Sequence, residues 1–423
     1  ADIVELRIDY IETPDLNALL KKKTKPVIVT NRPKREGGMF TGDETDRIEL
    51  LKKAISLNAD YIDIEYDSFN KIKDFKNTKL IVSRHDFNGT PNDVHKIHNN
   101  LINSNAHMVK LITYANNIMD NFRIFKLLRE TDFPTIAFCM GELGRISRIL
   151  SPIFGGKLTF ASLASGKESA PGQLTIDELT EVYRVPQLNR DTKIFGLLGC
   201  PVGHSMGPYI HNAAFKEKNF NAVYVPFKVN EDELNGFIDS FRELGFCGLS
   251  VTIPHKESII AFLDEIDPVA KKIRAVNTVI NHGGKLSGCN TDCPAAIGAL
   301  ENIISSLKQS RTIHSQKHTE ETAGIKSPLS GQKAAIIGSG GAARAIAFGL
   351  KAKDADITIF NRTYGRGLEL SKEVDCNCVE TFDDLIKEDI DILVNTTPVG
   401  MYPNIDETPI MDNDILKEGM VVF

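Results

Sequence analysis

The chain has 423 residues, a formal net charge of −6, 42% hydrophobic and 25% charged residues, and no Trp. That balance is ordinary for a globular protein, leaves no basic footprint for nucleic acid, and at this length predicts two or three domains. No apolar run approaches the roughly 18 residues of a membrane span, and Cys139, Cys200, Cys247, Cys289, Cys293, Cys376 and Cys378 form neither a CxxC pair nor a zinc spacing, so a soluble, intracellular, reduced protein without metal or membrane partner is expected.

The first half alternates short β-branched runs with helical pattern. Strands are predicted at Ile3 to Ile8, Val27 to Thr30, Tyr61 to Glu65, Leu80 to Ser83, His107 to Thr113, Thr135 to Cys139 and Leu158 to Ser162, and helices lie between them, as at Asp43 to Leu57 and Pro91 to Ser104. Near-continuous apolar strands between helices suggest a parallel barrel. A closed barrel needs eight strands, so a leading strand and helix, like any N-terminal address, are expected upstream of Ala1. The fold class is therefore α/β: a (β/α)8-type barrel lacking its first unit over 1–188, an α/β substrate domain over 189–300, and an exposed insertion or linker over 301–330. A Rossmann domain follows over 331–423. The insertion is predicted because Ser305 to Ser330 is rich in Ser, Thr, Lys, Gln and His with little apolar period. Val421 to Phe423 reads as a strand just begun, so this domain is expected to be cut short.

The stretch KAAIIGSGGAARAIAFGLKAKDADITIFNRT, from Lys333 to Thr363, implies a nucleotide. Gly338, Gly340 and Gly341 follow the apolar strand Ala334 to Ile337, so backbone amides can close on a pyrophosphate at the N-terminus of the helix that starts near Ala342. The second strand, Ile357 to Phe360, ends in Asn361, Arg362 and Thr363, where an NAD site would carry an acidic residue for the ribose hydroxyls. A guanidinium there can hold a 2′-phosphate, so NADP(H) is favoured.

Polar residues sit in or just after the barrel strands: Glu5 and Arg7 in the first, Arg32 and Glu36 after the second, Glu65 closing the third, His85 after the fourth, and Lys110 inside the fifth. A desolvated amine at Lys110 could form a Schiff base with a ketone while His85 carries protons. The bland alternative is an ion pair between Lys110 and Glu5 or Glu65. Downstream, GHSMGP (203–208), SVTIPHK (250–256), AVNTV (275–279) and GCNTDC (288–293) are polar clusters ahead of the nucleotide unit. Lys256 could protonate a forming alkoxide with Asp292 beside it; alternatively Lys256 is a solvated lysine and Asp292 an N-cap.

ELRID, NRPKREGG, DIE, SRH, VKL, MGELGRISR and SAPGQ, in this order over residues 1 to about 175, resemble the type I 3-dehydroquinate dehydratase family. The resemblance implies Lys110 as the Schiff-base lysine, His85 as the general acid and base, and Glu65 orienting the histidine. Arg148 would bind the substrate carboxylate, with Glu5, Arg7, Arg32, Glu36, Met140, Ser169 and Gln173 on other pocket positions. Residues 193 to 423, with GSGGAARA, NRT and NTTPVGM, resemble shikimate dehydrogenase. That likeness implies Lys256 and Asp292 as the catalytic pair and Ser205, Thr252 and Asn277, with Asp292, as substrate ligands. It also implies Gly338, Ser339, Gly340, Gly341, Ala342, Asn361, Arg362, Thr363, Thr396, Thr397, Pro398 and Met401 as cofactor residues. The family's SxSP pattern reads Ser205, Met206, Gly207, Pro208 here, so one hydroxyl is missing.

The fusion looks like the bifunctional enzymes of plants. It implies 3-dehydroquinate, 3-dehydroshikimate and shikimate as small-molecule substrates, and a plastid. A quinate dehydrogenase, because of Gly207, or a non-catalytic binding module are the other readings.

Overall fold

In this computed structural model the described residues are 1–313, 326–401, 405–410 and 412–423. They form two compact units, Ala1–Cys247 and Gly248–Phe423. In the first, strands β1 (Val4–Arg7), β2 (Val27–Thr30), β3 (Tyr61–Glu65), β4 (Lys79–His85), β5 (Met108–Tyr114) and β6 (Thr135–Met140) pair in sequence order, all parallel. Helices α1 (Leu16–Lys21), α2 (Glu44–Ser56), α3 (Val94–Ile102) and α4 (Met119–Glu130) fill four of the five crossovers, β3 to β4 having only a short turn, and α5 (Arg145–Phe154) follows β6. Every residue of β2 and β6 is buried, as expected of strands covered on both faces. Helix α2 shows the local logic. Asp43 precedes it, and Ile48, Leu51 and Ile55 make the buried stripe at helical spacing.

The seventh predicted strand does not form. Residues 158–162 make no ladder, and only the isolated bridge Ser162 to Thr175 links that stretch to another segment. One backbone bond, from Lys157 N to Thr135 O, ties its start to β6. Beyond it Phe160 turns its ring toward the strand ends, 6.2 Å from Phe138, so the segment lines a cavity instead of extending the sheet.

The first unit continues through β7 (Lys193–Gly199), α6 (Gly207–Glu217), the parallel strand β8 (Ala222–Lys228) and α7 (Leu234–Glu243). These belong with the barrel because of one phenyl cluster. Phe122 and Phe125 on α4 and Phe154 on α5 stack among Phe227, Phe237 and Phe246 at centroid separations of 4.5 to 6.3 Å. Burying each ring contributes about 2 kcal/mol, so residues past the expected domain boundary near 188 pack with the barrel as far as Cys247.

In the second unit β9 (Gly248–Val251) and β12 (Lys285–Cys289) both pair antiparallel with β11 (Thr278–His282), and β10 (Glu265–Ile266) runs parallel to β12. Helices α8 (Pro268–Ile273) and α9 (Asp292–Ile313) flank these strands in sequence. A parallel sheet follows in the order β15 (Asn377–Val379), β14 (Asp356–Phe360), β13 (Lys333–Ile337), β16 (Ile392–Asn395), β17 (Val421–Val422), with α10 (Gly341–Lys351), α11 (Tyr364–Val374) and α12 (Phe382–Ile386) in its connections. That is the expected Rossmann arrangement.

The predicted insertion over 301–330 needs correction: α9 runs on to Ile313. Cys293, Ile297, Leu300 and Ile304 are buried along one face. Ser305 and Ser306 return their hydroxyls to the carbonyls of Glu301 and Asn302, a local bond that keeps serine inside a helix. Residues 314–325, the rest of the predicted insertion up to its last turn, lie outside the described residues. Among the described residues no helix is long and apolar enough to cross a membrane.

Two candidate active sites

The first site lies at the C-terminal ends of β1 to β6. Strand register brings Glu65, Ser83 and Lys110 level with one another, and the two-residue period puts Asp63 on the same face as Glu65. Lys110 Nζ donates to Asp63 Oδ2 at 2.9 Å, stands 3.8 Å from Glu5 Oε1, and sits over the face of Phe160 at 4.2 Å. Of the two expected carboxylate partners, Glu5 forms a long ion pair and Glu65 none; the hydrogen-bonded partner is Asp63, which the sequence motifs do not single out.

The expected orientation of His85 by Glu65 is also corrected. His85 Nδ1 and Glu36 Oε2 share a hydrogen bond of 2.9 Å, and the same oxygen accepts from the His85 backbone N–H at 2.8 Å. The loop after β2 makes this possible. A tight turn over Lys34–Glu36 ends at Gly37, whose φ of +77° suits glycine, and swings Glu36 back to β4. Glu65 instead accepts from Arg32 Nη1 at 2.6 Å and lies 2.6 Å from Arg47 Nη1.

Burial pushes the Glu36 carboxyl up to about 7, only partly offset by the His85 amide and the Arg32 charge. Burial, then the Arg32 and Lys110 cations, hold His85 well below its usual range. The imidazole is therefore neutral. When Glu36 is ionised, Nδ1 must carry the hydrogen and Nε2 keeps a lone pair for a substrate proton. Burial also raises Asp63, but Arg32 and Lys110 outweigh it and keep it ionised.

Among the described residues, Arg148 is the charge of this site that no carboxylate pairs. It is 1% exposed, stacks on Phe138 at 4.4 Å, reaches only the Pro171 carbonyl at 3.3 Å, and has no partner for Nε. Burial pulls it down to about 10. A cation buried at this cost calls for an anion that the described residues do not supply. Glu5, Arg7, Arg32, Glu36, His85, Lys110, Met140, Arg148, Ser169 and Gln173 line one cavity. Arg7 is held by Asp9 at 2.7 Å, and Gln173 Oε1 accepts from both the amide and the hydroxyl of Ser169. Glu65 is the one predicted site residue of the barrel outside that lining. Phe87, Phe138 and Phe160 line it unforeseen, since an aromatic residue at a strand end reads equally well as core.

In the second unit Lys256 Nζ donates to Asp292 Oδ2 at 2.5 Å, and Asn277 Nδ2 donates to Asp292 Oδ1 at 2.7 Å and to Thr291 at 2.9 Å. Thr252 follows β9, four residues before Lys256. The bland N-cap role falls to Asn290, whose Oδ1 accepts from Cys293 N at 3.1 Å. Asp292 is thereby left to the lysine. Ser205 and Gly207 belong to the first unit, at the start of α6, where Gly207 N donates to Ser205 Oγ at 3.1 Å.

The nucleotide loop leads from β13 into α10. Gly338 has φ of +119°, and a Cβ there would lie 2.3 Å from Thr396 Oγ1, so only glycine fits. A Cβ on Gly340 would meet nothing within 4 Å, and one on Gly341 would lie 3.4 Å from Lys256. Open space at Gly340 thus lies beside a glycine packed against the lysine, and an anionic pyrophosphate fits it. Ser339 and Ala342 flank those glycines. Thr396 closes the loop from behind by donating to the Ile337 carbonyl at 2.7 Å, and Thr397 is tied to Asn395 at 2.8 Å. Met401 is exposed, its amide bonded to the Pro398 carbonyl at 3.1 Å. Asn361 donates to the Thr363 carbonyl at 2.8 Å, and exposed Arg362 pairs with no carboxylate among the described residues.

Comparison with known proteins matches residues 1–190 to type I 3-dehydroquinase, 197–279 to the shikimate dehydrogenase substrate binding domain, and 319–402 to shikimate / quinate 5-dehydrogenase. The chain is similar to the bifunctional 3-dehydroquinate dehydratase/shikimate dehydrogenase, chloroplastic, of Arabidopsis thaliana, at 41% identity over all of this chain and 71% of that one. It is 30% identical to the shikimate biosynthesis protein AroDE of Chlamydia pneumoniae over 94% of this chain and 78% of that one. The shikimate dehydrogenase (NADP(+)) of Methanocaldococcus jannaschii is 42% identical over 56% of this chain and 78% of its own.

Proposed function

For a chain that belongs to the family of bifunctional 3-dehydroquinate dehydratase/shikimate dehydrogenases, we propose two successive reactions: dehydration of 3-dehydroquinate at the Lys110 pocket, then reduction of 3-dehydroshikimate by Lys256 and Asp292. The observation that carries the first is the buried Lys110 amine beside the neutral His85 and the unpaired Arg148. Arg148 takes the substrate carboxylate, which fixes the ketone near Lys110. The free amine adds to the ketone, and loss of water leaves an iminium. His85 removes a proton from the adjacent carbon, and the electron pair moves into the iminium as an enamine. Its return expels the β hydroxyl, which leaves as water with the proton from His85. Hydrolysis frees Lys110 and the product.

In the second reaction bound NADPH supplies the hydride. Lys256 gives its proton to the forming alkoxide, Asp292 holds that lysine and a substrate hydroxyl, and Asn277 holds Asp292. Gly340 and Gly341 present amides to the pyrophosphate, Gly338, whose own amide is bonded to the Phe360 carbonyl, makes the turn that aims them, and Arg362 holds the 2′-phosphate. Thr252 is proposed as a further substrate ligand. A plastid is the compartment we propose from the Arabidopsis relative's name; fluorescence of a tagged full open reading frame outside plastids refutes it.

Borohydride reduction in the presence of dehydroquinate should fix substrate carbon on Lys110, read by peptide mass. Label elsewhere, or none, overturns the first assignment. Asp292→Asn should abolish NADPH oxidation with 3-dehydroshikimate while leaving dehydration intact, and a variant that still reduces overturns the second.

A further inference from the structure

A line of alternating charge leads out of the Lys110 pocket to a residue with no place in its lining. Lys110 Nζ donates to Asp63 Oδ2 at 2.9 Å; that oxygen also lies 2.6 Å from Arg32 Nη2. Arg32 Nη1 donates to Glu65 Oε1 at 2.6 Å, and Glu65 Oε2 lies 2.6 Å from Arg47 Nη1. All five are buried, with exposures of 6% for Lys110, 3% for Arg32 and 0% for Asp63, Glu65 and Arg47. Arg47 sits on α2 and is itself anchored. It donates to the Asn31 carbonyl at 3.0 Å and makes a two-point contact with Glu44 at 2.8 and 2.9 Å.

Each buried carboxylate is shared by two cations, and none of these ions can exchange its partner for water. The position of one therefore depends on the next. Glu65 is the weak link, because burial pushes it up even with Arg32 and Arg47 beside it. Without Arg47 it takes a proton and loosens its hold on Arg32 Nη1, which keeps its bond to Ser83 Oγ at 2.7 Å, so the guanidinium can close further on Asp63 and displace the amine that shares its oxygen. The overall charge of the chain of ions is unchanged by this, since the lost guanidinium is replaced by a proton. What changes is where the Lys110 nitrogen sits.

We propose that Arg47 is a positioning residue for the Lys110 amine, acting through Glu65, Arg32 and Asp63 without touching substrate. It rests on Lys110 being the Schiff-base lysine. A displacement near 1 Å of a reacting group costs about 10²-fold in rate.

The test uses the full chain and its Arg47→Met, Arg47→Lys, Glu65→Gln and Arg47→Met/Glu65→Gln variants, assayed for dehydration below the Tm of each. Arg47→Met should lower kcat by about 10²-fold while KM moves less than about threefold. Arg47→Lys, which keeps a cation beside Glu65, should recover most of that loss. The double variant should be no slower than Arg47→Met, because both changes break one chain. If Arg47→Met does not fold, the isosteric Glu65→Gln decides, and its kcat should fall comparably.

Variants that lose Tm but keep wild-type kcat overturn the proposal, as does an Arg47→Lys no faster than Arg47→Met. A wild-type chain that borohydride does not trap at Lys110 removes the Schiff-base reading and this inference with it. A trapped wild type with variants of equal kcat removes the inference alone.

Discussion

Replacing Glu36 by Gln separates what this carboxylate does for His85 from what its burial costs the fold. Gln keeps the shape and an acceptor for the His85 amide, but it cannot ionise. In the native chain burial pushes Glu36 up to about 7 from an ordinary 4.5. A carboxyl raised on folding binds its proton more tightly in the native state, so its stabilisation is present below about pH 4.5 and is lost as the pH climbs through about 7. Integrated from about pH 5.5 to about pH 8, that loss is about 2 kcal/mol. The side chain is only 17% exposed, so solvent screens little of it. His85 runs the other way: its depressed value gives stability that is present above its usual range and lost as the pH falls, and it does so in both proteins. Between about pH 5.5 and about pH 8, Glu36→Gln should therefore gain about 2 kcal/mol on the wild type. Urea midpoints of both proteins at the two pH values measure it. Dehydration should meanwhile fall by about 10²-fold in kcat at the higher pH, as His85 loses its anionic partner. Parallel stability curves, or undiminished turnover, would refute this account of the pair.

Three other substitutions probe separate claims. Arg148→Met removes a buried cation without a carboxylate partner, so Tm should rise while KM for dehydroquinate climbs by about 10²-fold; an unchanged KM places the substrate carboxylate elsewhere. Arg362→Leu should raise KM for NADPH by about tenfold or more and leave NADH untouched, and equal effects on the two cofactors contradict a 2′-phosphate contact. Gly207→Ser restores the hydroxyl of the SxSP pattern, and its Cβ would sit 3.1 Å from Ser205 Oγ and 3.2 Å from Tyr224, so both neighbours must yield slightly. KM for shikimate should fall about tenfold and turnover of quinate should drop; no change in either excludes Gly207 from substrate choice.

Most strands were legible because a covered parallel strand must be apolar along its whole length, and β2 and β3 begin and end where the β-branched runs do. The charges inside such strands were legible for the same reason, as Lys110 illustrates. Which charge meets which was not. Asp63 and Glu65 share one face of β3, and a period of two cannot tell which reaches β5. Glu36 reaches His85 from 49 residues away through a glycine turn, and composition carries no sign of that contact. The continuation of α9 past residue 300 was hidden by polar residues. Its buried stripe ends at Ile304, and the following turns hold through serine back-bonds, which look like a linker in one dimension. The stretch 158–162 was mistaken for a strand because an extended segment lining a pocket and one pairing in a ladder have the same residue preferences.

The closeness of Thr396 to Gly338 bears on redesign. A Cβ at position 338 would collide with a hydroxyl already committed to the Ile337 carbonyl, so mutational libraries aimed at that turn would return mostly misfolded chains. The tip formed by Asn361, Arg362 and Thr363 is bound by no such constraint, its side-chain bond from Asn361 to the Thr363 carbonyl being local. On the proposed cofactor assignment, latitude for retargeting is concentrated in those three codons, where a change would alter recognition without first breaking the turn proposed to present amides to the phosphates.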